Sequence, residues 1–556
     1  MNTKRKHLEE KGMQLGPIVS TNVFLDSRLN EPEEGITGST SAEIVPCRVI
    51  QPKVEGIQSF KNKAHTMLNE YADRFRTTVD KQPAKVAPLI LEVDNAKWQL
   101  NKNCWGPRVQ SVLKEQAIRD FVKQAVEDGV IKESQAKYVS QVLLTPKKNG
   151  TYRFCIDYRA LNEASTSNGW PLPKIKEMLA RLGIQKPKFF ASFDLTQGYY
   201  QCPISVDSRD YTAFTTSIGT YRWKRVPMGL KGAPSYFQAK MANTVLRGLI
   251  YNICDIYIDD IIVYGTTEEQ FFQHLNQVFS RLREFNVSLN PDKASVGLSE
   301  IEYVGHTISG DGIKLSQKQR QDVLDVPLPV IEQDLKSFLG LVSYYRDHLC
   351  NHSSMVQPLH KLIVDYKPRN KIKWTKALEE VFYQVQASVN DAPPLYFLDY
   401  NAPVFLHTDA SDFGIGANLY QVRDNKEVPI AFISKALTTT EVKWSTPEKE
   451  CYAIFYALVK LEYLLRDIHF TLRTDHRNLT FLNESFQQKV KRWKLAIMHF
   501  NFDIEHIPGK QNVVADALPR LMRIPIPFQL DSKWTRRSIT YTSSVRKSYE
   551  MSHSFV

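Results

Sequence analysis

The feature that most constrains this chain is a pair of adjacent acids, Asp259-Asp260, set between two β-prone apolar runs, Ile256-Tyr257-Ile258 and Ile261-Ile262-Val263-Tyr264. Neighbouring residues of a strand point to opposite faces, so both acids can serve one site only from the tip of a hairpin. A third acid, Asp194, ends another strand-like run, Phe189-Phe190-Ala191-Ser192-Phe193, where an unpaired charge is costly to bury. Nucleotidyl transfer needs such hard oxygen ligands, to hold two Mg²⁺ ions about 3.5–4 Å apart. An isolated Asp-Asp pair is ordinarily a solvated turn, so the surrounding sequence has to decide.

The chain of 556 residues is too long for one hydrophobic core and should hold several compact units. Hydrophobic residues at 42% and charged residues at 24% are ordinary globular values, which excludes a mostly disordered chain. The net charge of +12 biases the partner toward a polyanion. Cys47, Cys104, Cys155, Cys202, Cys254, Cys350 and Cys451 stand singly, which argues against a zinc module or a disulfide scaffold and fits a reducing compartment. No apolar run approaches the roughly 20 residues of a membrane span, so a soluble intracellular protein with no membrane partner is expected.

Helical spacing at Leu113, Ala117, Phe121 and Ala125, closed by Gly129, predicts a helix over 113–130. The strand-like QVLLTP and TYRFCIDY flank an Asn149-Gly150 turn signal. Alternating strands and helices to about Gly312 predict an α+β unit with a small sheet, and Leu335, Phe338, Leu339, Val342 and Tyr345 a helical one. Strands from Ala402 and an amphipathic helix from Thr446 to Arg466 predict a separate α/β unit.

Tyr257-Ile258-Asp259-Asp260 matches the YxDD signature of reverse transcriptases. LLTPKKNGTYRFCIDYRALNEA, WPLPKIKEMLARLG, FFASFDLTQGYYQCPI, TAFTT, YRWKRVPMGLKGAPSYFQ and EYVGHTIS follow in that family's order. Over roughly Lys97 to Arg520 the chain resembles the reverse transcriptase and ribonuclease H region of gypsy-type long-terminal-repeat retrotransposons. The resemblance implies an α+β multidomain fold, a right-hand polymerase of fingers, palm and thumb followed by an α/β ribonuclease H-like domain. The expected divisions are a flexible leader or polyprotein remnant at 1–61, fingers and palm at 62–312, a helical thumb at 313–372, a ribonuclease H-like domain at 373–522 and a loose basic tail at 523–556. It implies Asp194, Asp259 and Asp260 as metal ligands, joined by the Leu195 carbonyl. Lys148 and Arg153 on the fingers hairpin would neutralise the incoming triphosphate, a guanidinium fork suiting phosphate. Tyr199 would lie under the sugar and exclude a ribose 2′-hydroxyl. Met228 stands in the dNTP-pocket loop where retroviral enzymes carry glutamine, an apolar choice common in the gypsy-type branch.

Four further acids carry the second half of the resemblance: Asp409 in LHTDASDFGIGA, Glu450 in TPEKECYAI, Asp475 in LRTDHRNL and Asp516 in NVVADALPR. Strand ends and helix starts can gather acids into one cleft, and such a quartet would hold two Mg²⁺ ions to hydrolyse a phosphodiester. Glu450 has a structural alternative, since Glu448 and Glu450 both fall where acids complement a helix dipole. His506 falls where related nucleases carry a histidine on a mobile loop, suited to proton transfer. The implied partners are an RNA template, a DNA primer, an RNA/DNA hybrid and dNTPs, with Mg²⁺ replaceable by Mn²⁺. The implied location is the cytoplasm, virus-like particles included, or the nucleus; oligomeric state stays open.

Asp26-Ser27-Arg28 lacks the glycine of an aspartic protease loop, and no zinc pattern follows Arg520, so a processed product, a fragment or a decayed copy is expected. A domesticated nucleic-acid binder and a DNA-templated polymerase of a related virus are the competing readings. Seven intact acids favour a working enzyme, because carboxylates clustered without a cation repel one another.

Overall fold

The computed structural model describes residues 52–507 apart from 105, 148–149, 167–168, 351, 365 and 475–487. Lys148, Asp475, Asp516 and the expected tail at 523–556 lie outside the described residues.

The first sheet runs in the order Lys53–Val54, Ser295–Leu298, Phe189–Asp194, Asp260–Gly265, Cys254–Tyr257. Its central strand, Phe189–Asp194, is mostly apolar up to its terminal acid because both faces are covered. Ala191, Phe193, Ile261 and Val263 belong to one core, with Phe271, Phe279 and Leu282 of the helix Glu268–Glu284. Phe190, Ile262 and Tyr264 point the other way, into a second core with Met178, Leu179, Ile301 and Tyr303. The helix is fixed at both ends: the Thr267 side chain accepts from the Gln270 amide, while Glu268 and Glu269 open it and Arg281 and Arg283 close it, as the helix dipole favours. The strand Lys53–Val54 pairs with Ser295–Leu298, and a helix spans Gln58–Glu70, so residues ahead of the boundary expected at residue 61 belong to this fold; residues 1–51 of the expected leader lie outside the described residues.

The second sheet runs Ile131–Glu133, Gly219–Trp223, Phe214–Thr216, Ser140–Pro146, Tyr152–Asp157. Its last two strands are the hairpin read from the sequence, turned with Gly150 at φ +79°, which glycine adopts without steric cost. The expected helix is Val112–Glu127, buried through Ile118, Val122 and Ala125 against this sheet.

A helical unit follows. Leu335, Phe338, Leu339 and Val342 of Glu332–Tyr344 are buried as their spacing required. Phe382, Val385 and Val389 of the helix Lys376–Asn390 complete the same core, with Phe338 and Phe382 ring centroids 4.5 Å apart. This unit therefore runs past the boundary expected at residue 372, because the apolar stripe of Lys376–Asn390 finds its partner behind it in the chain.

The last sheet runs Lys426–Ala436, Gly414–Arg423, Val404–Ala410, His469–Thr474, Asn501–His506, antiparallel across its first three strands and parallel across the rest. The helix Thr446–Lys460 packs Ile454, Ala457 and Leu458 onto Leu406 and Leu419; it breaks at Leu461, and a short helix Glu462–Leu465, capped by Arg466, carries on to the expected end. The preceding two-residue strand Leu395–Tyr396 joins the small sheet Glu300–Tyr303, His306–Ser309, Gly312–Lys314. The six cysteines among the described residues are free, and no helix among them is long and apolar enough to cross a membrane.

The Leu395–Tyr396 pairing depends on close backbone approach, because a Cβ on Gly312 would lie 2.0 Å from the Leu395 carbonyl oxygen. Gly312→Ala is expected to part the two strands and lower the melting temperature of the unit that holds them by several degrees, at about 2–4 °C per kcal/mol for a cooperative unit of roughly 150–250 residues. Calorimetry of the variant beside the parent checks this, and an unchanged melt would show that the pairing contributes nothing.

Candidate active sites

Strand pairing brings the first three acids together. Asp194 and Asp260 are direct cross-strand partners, and Asp259 occupies the turn between Cys254–Tyr257 and Asp260–Gly265. The turn is closed by left-handed backbone at Ile258, φ +55°, a conformation a β-branched residue holds only under constraint. The Leu195 amide donates to the Asp259 carbonyl at 3.0 Å, which ties the end of one acidic strand to the other. Burial, followed by the charges of Asp194 and Asp260, pushes the Asp259 carboxyl up to about 6 against the pull of Lys293. Asp260 is raised by burial and then by the charge of Asp194, again against Lys293.

Two neighbours that sequence reasoning missed shape this cluster. Lys293, in the turn Pro291–Lys293, puts Nζ 2.8 Å from Asp194 Oδ2. Gly198 lies so close that a Cβ there would meet Asp259 Oδ1 at 2.6 Å. Asp259 Oδ1 is buried with no hydrogen-bond partner among the described residues. As they stand, no three or more His, Cys, Asp or Glu among the described residues are placed to hold a metal ion together; Asp194 is paired with Lys293 instead. Mutually repelling carboxylates, one of them with a buried oxygen lacking a partner, still fit a hard cation by their chemistry.

The remaining polymerase candidates lie around this cluster or on the second sheet. Tyr199 is half-buried, its ring 5.2 Å from Phe237, and burial together with Asp259 holds its phenol above the ordinary range. Arg153 is exposed on Tyr152–Asp157, opposite Thr145, on the hairpin that carries Lys148. Met228 is exposed in a loop pinned by Asn162, which donates to the Gly229 carbonyl at 2.9 Å and accepts from the Lys231 amide at 2.8 Å. Asn162 carried no sequence signal of this role.

In the second centre Asp409 is buried on Val404–Ala410 and Glu450 is buried on Thr446–Lys460, the helix packed on that strand's sheet. Glu448 does the capping: it forms a capping box with Ser445 and takes Lys489 at 2.7 Å. Of the two acids expected to complement the helix dipole, only Glu448 lies in the first turn. Lys449 Nζ reaches Asp412 at 2.9 Å, just beyond Asp409 in the chain. The described part of His469–Thr474 ends one residue before Asp475. His506 is not on a loop: it is the last residue of the strand Asn501–His506, paired in parallel with Thr474, and the Ile507 amide continues the ladder to the Thr474 carbonyl at 3.0 Å.

Residues 145–308 match the family model of reverse transcriptases (RNA-dependent DNA polymerases), and residues 399–500 match the RNase H-like domain found in reverse transcriptases. The chain is 31% identical to the retrovirus-related Pol polyprotein from transposon 412 of Drosophila melanogaster, over 83% of this chain and 37% of that one. It is 35% identical to the Pol polyprotein from transposon opus of the same organism, over 72% and 41%. To the transposon Tf2-3 polyprotein of Schizosaccharomyces pombe it is 31% identical, over 76% and 32%. The chain thus spans about two fifths or less of these relatives. Among solved structures, the foamy viral protease-reverse transcriptase in complex with dsDNA superposes with a TM-score of 0.71 at 22% identity, over 82% of this chain and 95% of that one. The same protein in complex with RNA/DNA hybrid gives 0.71 at 21%, over 88% and 64%.

An acid whose folded pKa exceeds its unfolded value binds more protons when folded, so stability rises as pH falls through the interval between the two values. For Asp259 that interval runs from 3.8 to about 6. Asp259→Asn is expected to raise the melting temperature of the protein in excess chelator at pH 7.5 by a few degrees, with the gain vanishing near pH 4. Melting curves across that range test it; a destabilised variant at pH 7.5 would contradict the repulsion described here.

Proposed function

The chain belongs to the Pol polyproteins of retrotransposons, through a reverse transcriptase domain followed by an RNase H-like domain, and from that premise we propose that it copies RNA into DNA and hydrolyses the RNA strand of the resulting hybrid. The observation that carries the polymerase half is the gathering of Asp194, Asp259 and Asp260 by one strand pair and its turn. These three carboxylates and the Leu195 carbonyl would hold two Mg²⁺ ions, with Mn²⁺ as a substitute; when bound, the ions supply charge neutralisation for the primer 3′-hydroxyl and the triphosphate.

The chain's own residues do the rest. Arg153 and Lys148 would take the triphosphate oxygens from the fingers hairpin, the fork of Arg153 engaging two of them. Tyr199, its ring braced by Phe237, would stand against the sugar and leave no room for a 2′-hydroxyl. The loop held by Asn162 would present Met228 to the nucleotide. Asp409, Glu450, Asp475 and Asp516 would form the hydrolytic centre for the hybrid, with His506 beside it to pass a proton. The foamy viral relatives were solved with dsDNA and with RNA/DNA hybrid, which supports a primer–template duplex and a hybrid as the partners here. The net charge of +12 suits a backbone held by counterion release without sequence readout. The same reading places the protein in the cytoplasm, in virus-like particles, or in the nucleus.

On an RNA template with a DNA primer, Mg²⁺-dependent dNTP incorporation is expected, and Asp259→Asn should lower it by at least about 10²–10³-fold, the scale of removing one electrostatic stabiliser. Asp409→Asn should abolish degradation of a labelled hybrid and leave incorporation in place. Incorporation that survives Asp259→Asn would remove the assignment.

A further inference from the structure

The acidic hairpin has an edge problem. Cys254–Tyr257 is the outermost strand of its sheet, so the groups on its free side, the Ile256 carbonyl and the Ile258 amide, have no strand partner, and an unpaired backbone group in a buried place is costly. Both are met by one side chain. Gln238, fully buried on the helix Ala233–Lys240, donates through Nε2 to the Ile256 carbonyl at 3.0 Å and accepts through Oε1 from the Ile258 amide at 2.8 Å. A carboxamide has the same donor and acceptor layout as a peptide unit, so Gln238 stands in for one peptide of a missing sixth strand.

The place at which it does so matters. Ile258 is the left-handed, β-branched residue of the turn, and its relaxed conformation would swing Asp259 out of the cluster. Among the described residues, the other hydrogen bonds that tie this turn to its surroundings are the backbone bond from the Leu195 amide to the Asp259 carbonyl, 3.0 Å, and the longer one from the Tyr303 hydroxyl to the Asp260 carbonyl, 3.4 Å.

Resting on the polymerase reading above, we propose that Gln238 is a positioning residue of that centre, which holds Ile258 in left-handed backbone by completing the sheet edge and so fixes where the Asp259 and Asp260 carboxylates point. It touches no reacting atom. Its effect should fall on kcat, with little change in KM for dNTP, and it should depend on the strain at Ile258. Glycine takes that backbone freely, so the need for Gln238 should shrink in an Ile258→Gly background.

The test is a double-mutant cycle on the full chain. Gln238→Met, close in volume and unable to make either bond, should lower kcat about tenfold, the scale of one lost buried hydrogen-bond pair. In the Ile258→Gly background the same change should cost less than about threefold, because the two residues act on one feature. Hydrogen exchange at the Ile258 amide, which needs no catalysis, should speed up at least about tenfold in Gln238→Met with the global melting temperature held within a few degrees. Equal kcat losses in both backgrounds, or unchanged exchange at Ile258, overturn the proposal. If Gln238→Met does not fold, Gln238→Asn, too short to span both groups, carries the same expectations. A parent chain that incorporates no dNTP would sink the polymerase reading, while the exchange measurement would still decide the role of Gln238.

Discussion

Everything at the first acidic centre depends on one strand pairing that sets like charges side by side. The register that places Asp194 opposite Asp260 is enforced by the two cores on either face of the sheet, Phe193 and Val263 on one side, Phe190 and Ile262 on the other. A slip by one residue would drive every one of these side chains to the wrong face. Hydrophobic burial at about 25 cal/mol per Å² is thus what holds the acids against their mutual repulsion, and the elevated Asp259 carboxyl records first its burial and then the charges of Asp194 and Asp260.

How far a reader of the sequence could get follows from the reach of each signal. The acids of the hairpin were legible because a charge at the end of a fully apolar run makes sense only if something uses it. The helices at Val112–Glu127 and Glu332–Tyr344 were legible from spacing alone. The domain boundaries were not, since Lys376–Asn390 shows an apolar stripe but not which unit will cover it. His506 was misplaced for a related reason: its strand is made by a parallel partner beginning at His469, and parallel ladders leave no local turn signature.

Lys293, Asn162 and Gln238 escaped for a different reason. Each is a common polar residue whose partners are remote, 99 residues away for the Lys293 contact to Asp194 and 67 for the Asn162 contact to Gly229. Nothing local distinguishes them from solvated surface groups. Their roles exist only once the helix and turn that carry them are docked, and positioning residues are harder to read than the ligands they position, because a ligand must have a particular chemistry while a support needs only reach.

The counter-charge shows how such supports can be matched to a site's working cycle. Lys293 is largely exposed, with its side chain 61% accessible, where Asp194 is 24%. An exposed ion pair of this kind contributes under about 1 kcal/mol, enough to bias Asp194 toward its neighbours but not enough to compete with a divalent cation on a cluster of three acids. A buried arginine in the same place would satisfy the carboxylates too well and close the site. The contrast lies within the same hairpin: Asp255, almost wholly buried, meets Arg181 at 3.5 Å and the Tyr264 hydroxyl at 3.3 Å. Burial pushes that carboxyl up to about 6 against the pull of Arg181, so even there the charge is only partly compensated. At the tip the shorter contact to Lys293 is exposed to solvent screening, which leaves Asp194 held loosely enough to take another cationic partner.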